Sequence, residues 1–256
     1  RKACCYAFAD YLFDLAGDPN GTDPVDPDPV DPDPKPDPKP DNAYYSVFSS
    51  DTTTVAPGVT QTINYALTKD DKQIVYYIAT ADIAREDVSI HANYHANDPS
   101  QGWAMSRVSD QMAAAQKRHS DPSDAANYVE HYNAVVGVNA DFYNMTTGAP
   151  SGALVMDGVE YHGGTSENFF AILKDGTAMI GSSSDYAAYK DQIQEAVGGS
   201  VYLVKDGKSV VTSAADYYNS RHSRTCVGIT AEGKVVMMVL DGRQEPFSAG
   251  GSAEEL

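Results

Sequence analysis

Cysteine is scarce in this chain, with three in 256 residues, and so are cations, with 18 Lys and Arg against 36 Asp and Glu. Three cysteines cannot staple a disulfide scaffold, and adjacent Cys4 and Cys5 with remote Cys226 lack zinc-site spacing. The net charge of −18 and pI near 4.5 remove the basic surface that sequence-tolerant nucleic-acid binding requires. Anionic membrane surfaces are disfavoured for the same reason. No apolar run reaches the ~18 residues of a membrane-spanning helix. No basic-apolar-small signal peptide is visible. The chain opens on Arg1 rather than Met, as expected of a processed chain or a piece of a longer one. Hydrophobic residues make up 42% of the chain, enough for a real core.

Proline is concentrated in one place. Residues 18–41, DPNGTDPVDPDPVDPDPKPDPKPD, hold nine of the 14 prolines, and eight Asp against Lys35 and Lys39 give this stretch −6. Alternating proline removes amide donors and fixes φ, and charge repulsion favours extension, so the segment is expected to be a polyproline-like spacer. Such a spacer suits a secreted or cell-surface protein, including one on a bacterial surface, that holds a domain away from its anchor. Before it, Tyr6, Ala9, Phe13 and Ala16 share a helical period, so residues 1–17 read as the end of an upstream helix or a leader remnant. Residues 42–256 form the globular domain.

That domain is expected to be α+β: mixed, strand-rich sheets with a few helices. Alternating apolar residues place strands at Tyr44–Phe48, Gln61–Leu67, Ile74–Thr80 and Val88–Ala92. Good helix formers predict a helix over Ser109–Arg118, and an Asp-Pro start signal predicts another over Asp121–Tyr132. Ala134–Val138 is an uninterrupted apolar run, as expected of a strand buried on both faces. MDGVEY, LKDGTAMI, VKDGKSVV and AEGKVVMMV each set an acidic-Gly pair between apolar runs, the mark of a hairpin turn. A helix is expected at Asp185–Val197, with Tyr186, Tyr189, Ile193 and Val197 on one face.

Three clusters carry candidate chemistry. In VVGVNADFYN (135–144), Asn139 and Asp141 follow a buried strand and point to one side if the strand persists; otherwise Asp141 caps a turn. In SRTCVGIT (223–230), Arg224 and Thr225 open a strand; the Arg fork suits phosphate or carboxylate, or serves as an ordinary edge arginine. Cys226 has no partner context for a nucleophile. In VLDGRQEPFSAGGS (239–252), Asp241 and Arg243 leave a strand, as a site or as a turn ion pair, with Glu245 close behind. His91 and His95 are four apart, a metal-ligand spacing only on a helix, which HANYHANDP is not. Asn144-Met-Thr146 matches a glycosylation sequon, a triplet frequent by chance.

Taken in order, NADFYN, GAPSG, a hairpin, Arg-Thr-x-x-Gly, DGR and Gly-x-Ser resemble the phosphodiester glycosidase family, from Trp103 to Leu256. Asn139, Asp141 and Phe142 match its first motif, Arg224 and Thr225 its Arg-Thr, and Asp241, Gly242 and Arg243 its Asp-Gly-Arg. The resemblance implies hydrolysis of a sugar-1-phosphodiester, N-acetylglucosamine-1-phosphodiester among them, in a secreted or lumenal setting. Glycoside hydrolysis commonly uses two carboxylates. Asp141 and Asp241 are the candidates, with Glu245 in reserve and Arg224 and Arg243 on the phosphate. Asn139 and Thr225 complete the substrate-binding set. No cofactor is evidently required, and a divalent cation such as calcium stays open, without EF-hand spacing. The alternative is a non-catalytic carbohydrate-binding or surface-display module, which the 17 tyrosines permit by stacking on sugars. The family continues to an Asn-Leu-Asp-Gly-Gly-Gly-Ser motif absent here, and Ser252-Ala-Glu-Glu255 is a capping box one residue before Leu256. The natural protein is therefore expected to continue, and the chain as given to be weak or inactive with Asp241 and Arg243 unusually exposed.

Overall fold

A computed structural model describes residues 2–8, 44–163, 168–211 and 216–256. The elements run β1 (Lys2–Phe8), β2 (Tyr45–Ala56), β3 (Val59–Thr68), β4 (Gln73–Ala81), β5 (Val88–Asn93), α1 (Val108–His119) and β6 (Tyr132–Asn139). Then come β7 (Leu154–Met156), β8 (Val159–His162), β9 (Asn168–Leu173), β10 (Ala178–Gly181), α2 (Ser183–Tyr189) and β11 (Ile193–Gly199). The last are β12 (Val204–Lys205), β13 (Lys208–Ser209), α3 (Asp216–Asn219), β14 (Arg224–Ile229) and β15 (Val235–Leu240). Strands dominate and helices are few, the α+β class that the sequence predicts.

Two five-stranded antiparallel sheets, ordered β14-β15-β4-β3-β2 and β10-β9-β11-β7-β8, flank a three-stranded sheet β5-β1-β6 in which β1 pairs parallel with both neighbours. The main core lies between them. Val235, Met237 and Val239 of β15 enter it at every second position, meeting Val88 and Ile90 of β5 and Leu154, Phe170 and Val197 of the second antiparallel sheet. That second sheet is covered on both faces. In β9, Phe170 and Ile172 face the main core while Phe169, Ala171 and Leu173 pack with Tyr186 of α2. A doubly covered strand needs no polar face, which explains the continuous NFFAIL run.

All four acidic-Gly hairpins form, and the Asp157–Gly158 turn has both residues at positive φ, the geometry such pairs favour. Four expectations differ. Lys2–Phe8 is a strand where helical spacing predicted a helix, and residues 9–43, with most of the 1–17 segment and the whole Pro-Asp spacer, lie outside those described. Residues 121–131 make successive turns, not a helix: Asp121 Oδ1 accepts from the Ser123 amide and hydroxyl, and Asp124 accepts from Asn127, so side chains capture the local donors. The helix predicted over 185–197 stops at Tyr189, because Ile193–Gly199 is the central strand between β9 and β7. Finally, β6 is largely half-buried rather than enclosed on both faces. Among the described residues no helix is long and apolar enough to cross a membrane.

Candidate active site

The candidate residues sit on three chain segments: the loop leaving β6, the turn entering β14, and the loop leaving β15. Antiparallel pairing of Arg224 with Leu240 and Thr225 with Val239 puts the start of β14 beside the exit of β15. The β6 exit is tied to them by one hydrogen bond, in which Thr225 Oγ1 donates to Asn139 Oδ1 at 2.5 Å. Two expected substrate-binding residues are therefore in contact, and their first task is to fix the relative position of two loops.

Asp141 is half-buried, and the Gly152 amide donates to its Oδ2 at 2.5 Å. The backbone crowds it closely. A Cβ at Gly198 of β11 would lie 2.6 Å from Asp141 Oδ2, and one at Gly152 would lie 2.7 Å from Gly198 Cα. Only glycine allows two chains to approach the carboxylate this nearly. The loop beyond it is held by Asn144, whose Oδ1 accepts from the amides of Thr146 and Thr147.

Asp241 is 3% exposed, correcting the expectation that it would be unusually accessible. The DGR loop does not hang free at the sheet end. Ser248 Oγ donates to Asp241 O at 2.7 Å and accepts from the Val75 amide at 3.1 Å, the Asp241 amide donates to Val75 O, and the Ala249 amide donates to Gln73 O. These bonds fold the loop back against β4. Burial raises the Asp241 pKa above the ordinary carboxylate range, partly offset by the Tyr77 hydroxyl, which donates to it. Burial first, and then the Asp241 charge, push the Tyr77 phenol to about 12.

Arg243 is exposed, as expected, and adopts the left-handed conformation at φ +60°, which costs a non-glycine residue about 1–2 kcal/mol. Its Nε donates to His222 Nδ1 at 2.9 Å. The imidazole stacks on Tyr217 at 5.2 Å between centroids, the Arg224 guanidinium lies 4.7 Å from the same ring, and Phe142 meets its edge at 6.0 Å. This ring thus joins the first two segments, and His222 carries the link on to Arg243 of the third. Burial, then Arg243 and Arg224, hold the His222 pKa below its ordinary value. With Nδ1 accepting, the neutral ring carries its proton on Nε2.

Arg224 is heavily committed. Its Nε donates to Gly251 O, and its Nη2 to the carbonyls of Tyr217 and Ser220 at 2.6 and 2.8 Å. Glu245 is placed apart, exposed and ion-paired with Lys72 at 3.0 Å. The Cys226 thiol is pushed up to about 11 by burial, which leaves it inert as a nucleophile at neutral pH. The Ser252–Glu255 capping box forms in half: the Ser252 amide donates to Glu255 Oε2, and Glu255 also pairs with Arg221, closing a turn rather than a helix. Sequence patterns did not single out Tyr77, Tyr217, Gly198 or the bonding of His222. The position of His222 between two arginines in RHSR was the one available signal.

Residues 132–256 match the family model described as phosphodiester glycosidase. Over 166 residues the chain is 25% identical to the N-acetylglucosamine-1-phosphodiester alpha-N-acetylglucosaminidase of Mus musculus, covering 58% of this chain and 32% of that protein. The chain thus spans about a third of the length of this curated relative. The fold is similar to the solved zebrafish N-acetylglucosamine-1-phosphodiester alpha-N-acetylglucosaminidase catalytic domain, auto-inhibited by its pro-peptide. The TM-score is 0.52 at 16% identity, covering 80% of this chain and 69% of that one.

Proposed function

We propose that the protein, whose residues 132–256 match the phosphodiester glycosidase family model, hydrolyses the glycosidic bond of a sugar-1-phosphodiester, with N-acetylglucosamine as the sugar. The observation that carries this reading is the convergence of three motif-bearing segments on one locus. There a buried Asp241 of raised pKa and a backbone-clamped Asp141 come from different strands.

The two carboxyls sit in different environments, the arrangement that separates an acid from a base. Asp241, biased toward its protonated form, delivers a proton to the departing phosphate oxygen. Asp141 serves as the base or nucleophile at the anomeric carbon. Water enters across the broken C1–O bond, so the products are the free sugar and a phosphomonoester. Arg243 meets the phosphodiester charge: its Nε is engaged by His222, while the guanidinium has further N–H donors. Arg224, spent on three carbonyls, serves as a positioning residue. The exposed edges of Phe142 and Tyr217 offer an apolar face for a sugar ring. The protein is secreted or displayed at a cell surface, a bacterial one, with residues 18–41 as the spacer.

The test is release of N-acetylglucosamine from UDP-N-acetylglucosamine by the full-length protein, with Asp141→Asn and Asp241→Asn beside it. Each substitution is expected to lower kcat at least 100-fold. Sugar binding without turnover, indifferent to both substitutions, would establish the carbohydrate-binding module instead.

A further inference from the structure

Away from these loops, three side chains from three different elements meet. His91 lies on β5, Asp157 in the β7–β8 turn and Glu195 on β11, and one ligand atom from each lies within 4.8 Å of the others. Glu195 is three residues up β11 from Gly198, so the cluster is about 10 Å along the strand from the backbone that crowds Asp141. His95, four residues from His91, is not a member of this cluster. His91 pairs with carboxylates that are far off in sequence.

Glu195 is 3% exposed. Its Oε2 accepts from the Ala92 amide at 3.0 Å and its Oε1 from the Asp157 amide at 3.2 Å, while His91 Nδ1 stands 3.4 Å from Oε1. The carboxylate therefore already bonds to both neighbouring elements, yet two amides do not neutralise it. The Asp157 carboxylate stands beside it as well, within 4.8 Å, so two like charges share this corner. Holding two carboxylates this close, one of them out of water, costs free energy that a cation in their midst removes. His91 is suited to provide the third ligand. Its Nε2 bonds the Ser89 hydroxyl at 3.0 Å, which fixes the ring with Nδ1 toward the carboxylates, as metal-ligating histidines are commonly fixed by a bond at the far nitrogen. A small recess walled by Ile90, Ala92, Phe170 and Val197 opens beside His91 and Glu195.

We propose that His91, Asp157 and Glu195 are a structural divalent-metal site that staples β5 to β11 and to the β7–β8 turn. One imidazole and two carboxylates suit zinc, which takes nitrogen and oxygen ligands in fours and would add a water here; calcium prefers oxygen alone. The site is separate from the proposed hydrolytic centre.

The experiment uses the full chain, stripped with a chelator and dialysed, and titrates it with Zn²⁺ in competition with a chromophoric chelator. Thermal melting with and without the ion runs in parallel. Uptake of one zinc per chain and a raised Tm are expected. Asp157→Asn, on an exposed turn whose φ of +51° suits Asn, keeps the amide bond to Glu195 and should fold, while weakening zinc binding at least tenfold. His91→Ala should abolish binding. In the Co²⁺ form, d–d absorption without a thiolate charge-transfer band is expected. Zinc uptake unchanged in both variants, no uptake at all, preference for calcium, or a thiolate band would each overturn the assignment. None of these readouts depends on glycosidase activity.

Discussion

Adding one methyl group to Gly198 separates close backbone packing from ordinary strand geometry. The new Cβ would meet Asp141 Oδ2 at 2.6 Å, Asp141 Cγ at 2.7 Å and Gly152 Cα at 2.7 Å. Atoms on two other segments must then retreat by several tenths of an ångström or more. Overpacking of this kind costs about 1–3 kcal/mol. Displacing the Gly152 amide from the carboxylate adds about 1–2 kcal/mol, since hydrogen bonds to charged groups lie at the strong end of the range. The sum, roughly 2–5 kcal/mol, predicts a Tm lower by about 4–20 °C for a chain of this size. Gly199 is the internal control. It is the next residue in the same strand, and a Cβ there meets nothing within 4 Å. Gly199→Ala should stay within about 0.5 kcal/mol of the parent. Urea denaturation of both variants gives the stabilities. Kinetics at a temperature where Gly198→Ala remains folded should show a roughly 100-fold loss, the cost of an ångström of misplacement. If the two variants are equally stable and equally active, the close packing around Asp141 is not what holds that carboxylate.

Tyr77→Phe removes the hydroxyl that favours the Asp241 anion, so the Asp241 pKa should rise further and the alkaline limb of the kcat profile should move to higher pH. An unmoved limb would sever Tyr77 from the chemistry. For stability the sign is fixed by the same shift. A carboxyl whose folded pKa is raised keeps its proton longer folded than unfolded, so stability falls as pH climbs from the unfolded pKa of about 4 through the folded one. Asp241→Asn should flatten that decline in denaturation curves taken from pH 4 to 8, and a decline of undiminished slope would assign it elsewhere. The two arginines should part company: Arg224→Ala loses three carbonyl bonds and about 2–3 kcal/mol of stability, discounted for partial exposure. Arg243→Ala should change stability by less than about 1 kcal/mol and raise KM at least tenfold, as denaturation and initial-rate kinetics would show.

The strands and hairpins were legible because their signals are local. Period-two alternation in Ile74–Thr80 and the acidic-Gly pairs act within a few residues, and the structure obeys them. The errors occurred where a distant strand partner or a competing local hydrogen bond decided. Ile193–Val197 has helical spacing on paper, yet its place between β9 and β7 makes it a strand, as burial outweighs propensity. Asp121 and Asp124 look like helix starters, but they take local donors for themselves. In the candidate site, the family likeness of NADFYN, RT and DGR was legible in their order. The burial of Asp241 was not, because it depends on Ser248 and Val75, the latter more than 160 positions away. The His91, Asp157 and Glu195 cluster was equally hidden, since no short window holds two of its members.

The placing of β11 divides the site into unlike walls. It lies at the middle of a sheet covered on both faces, so its amides are expected to be among the slowest to exchange hydrogen. Asp141 leans on that strand. The segment from Arg243 to Phe247 is exposed and anchored mainly through Ser248 and Ala249. One side of the candidate site is an anvil and the other is compliant. If the proposed glycosidase reading holds, differences in the size of the leaving group are absorbed on the arginine side, while the geometry at the anomeric carbon stays constant.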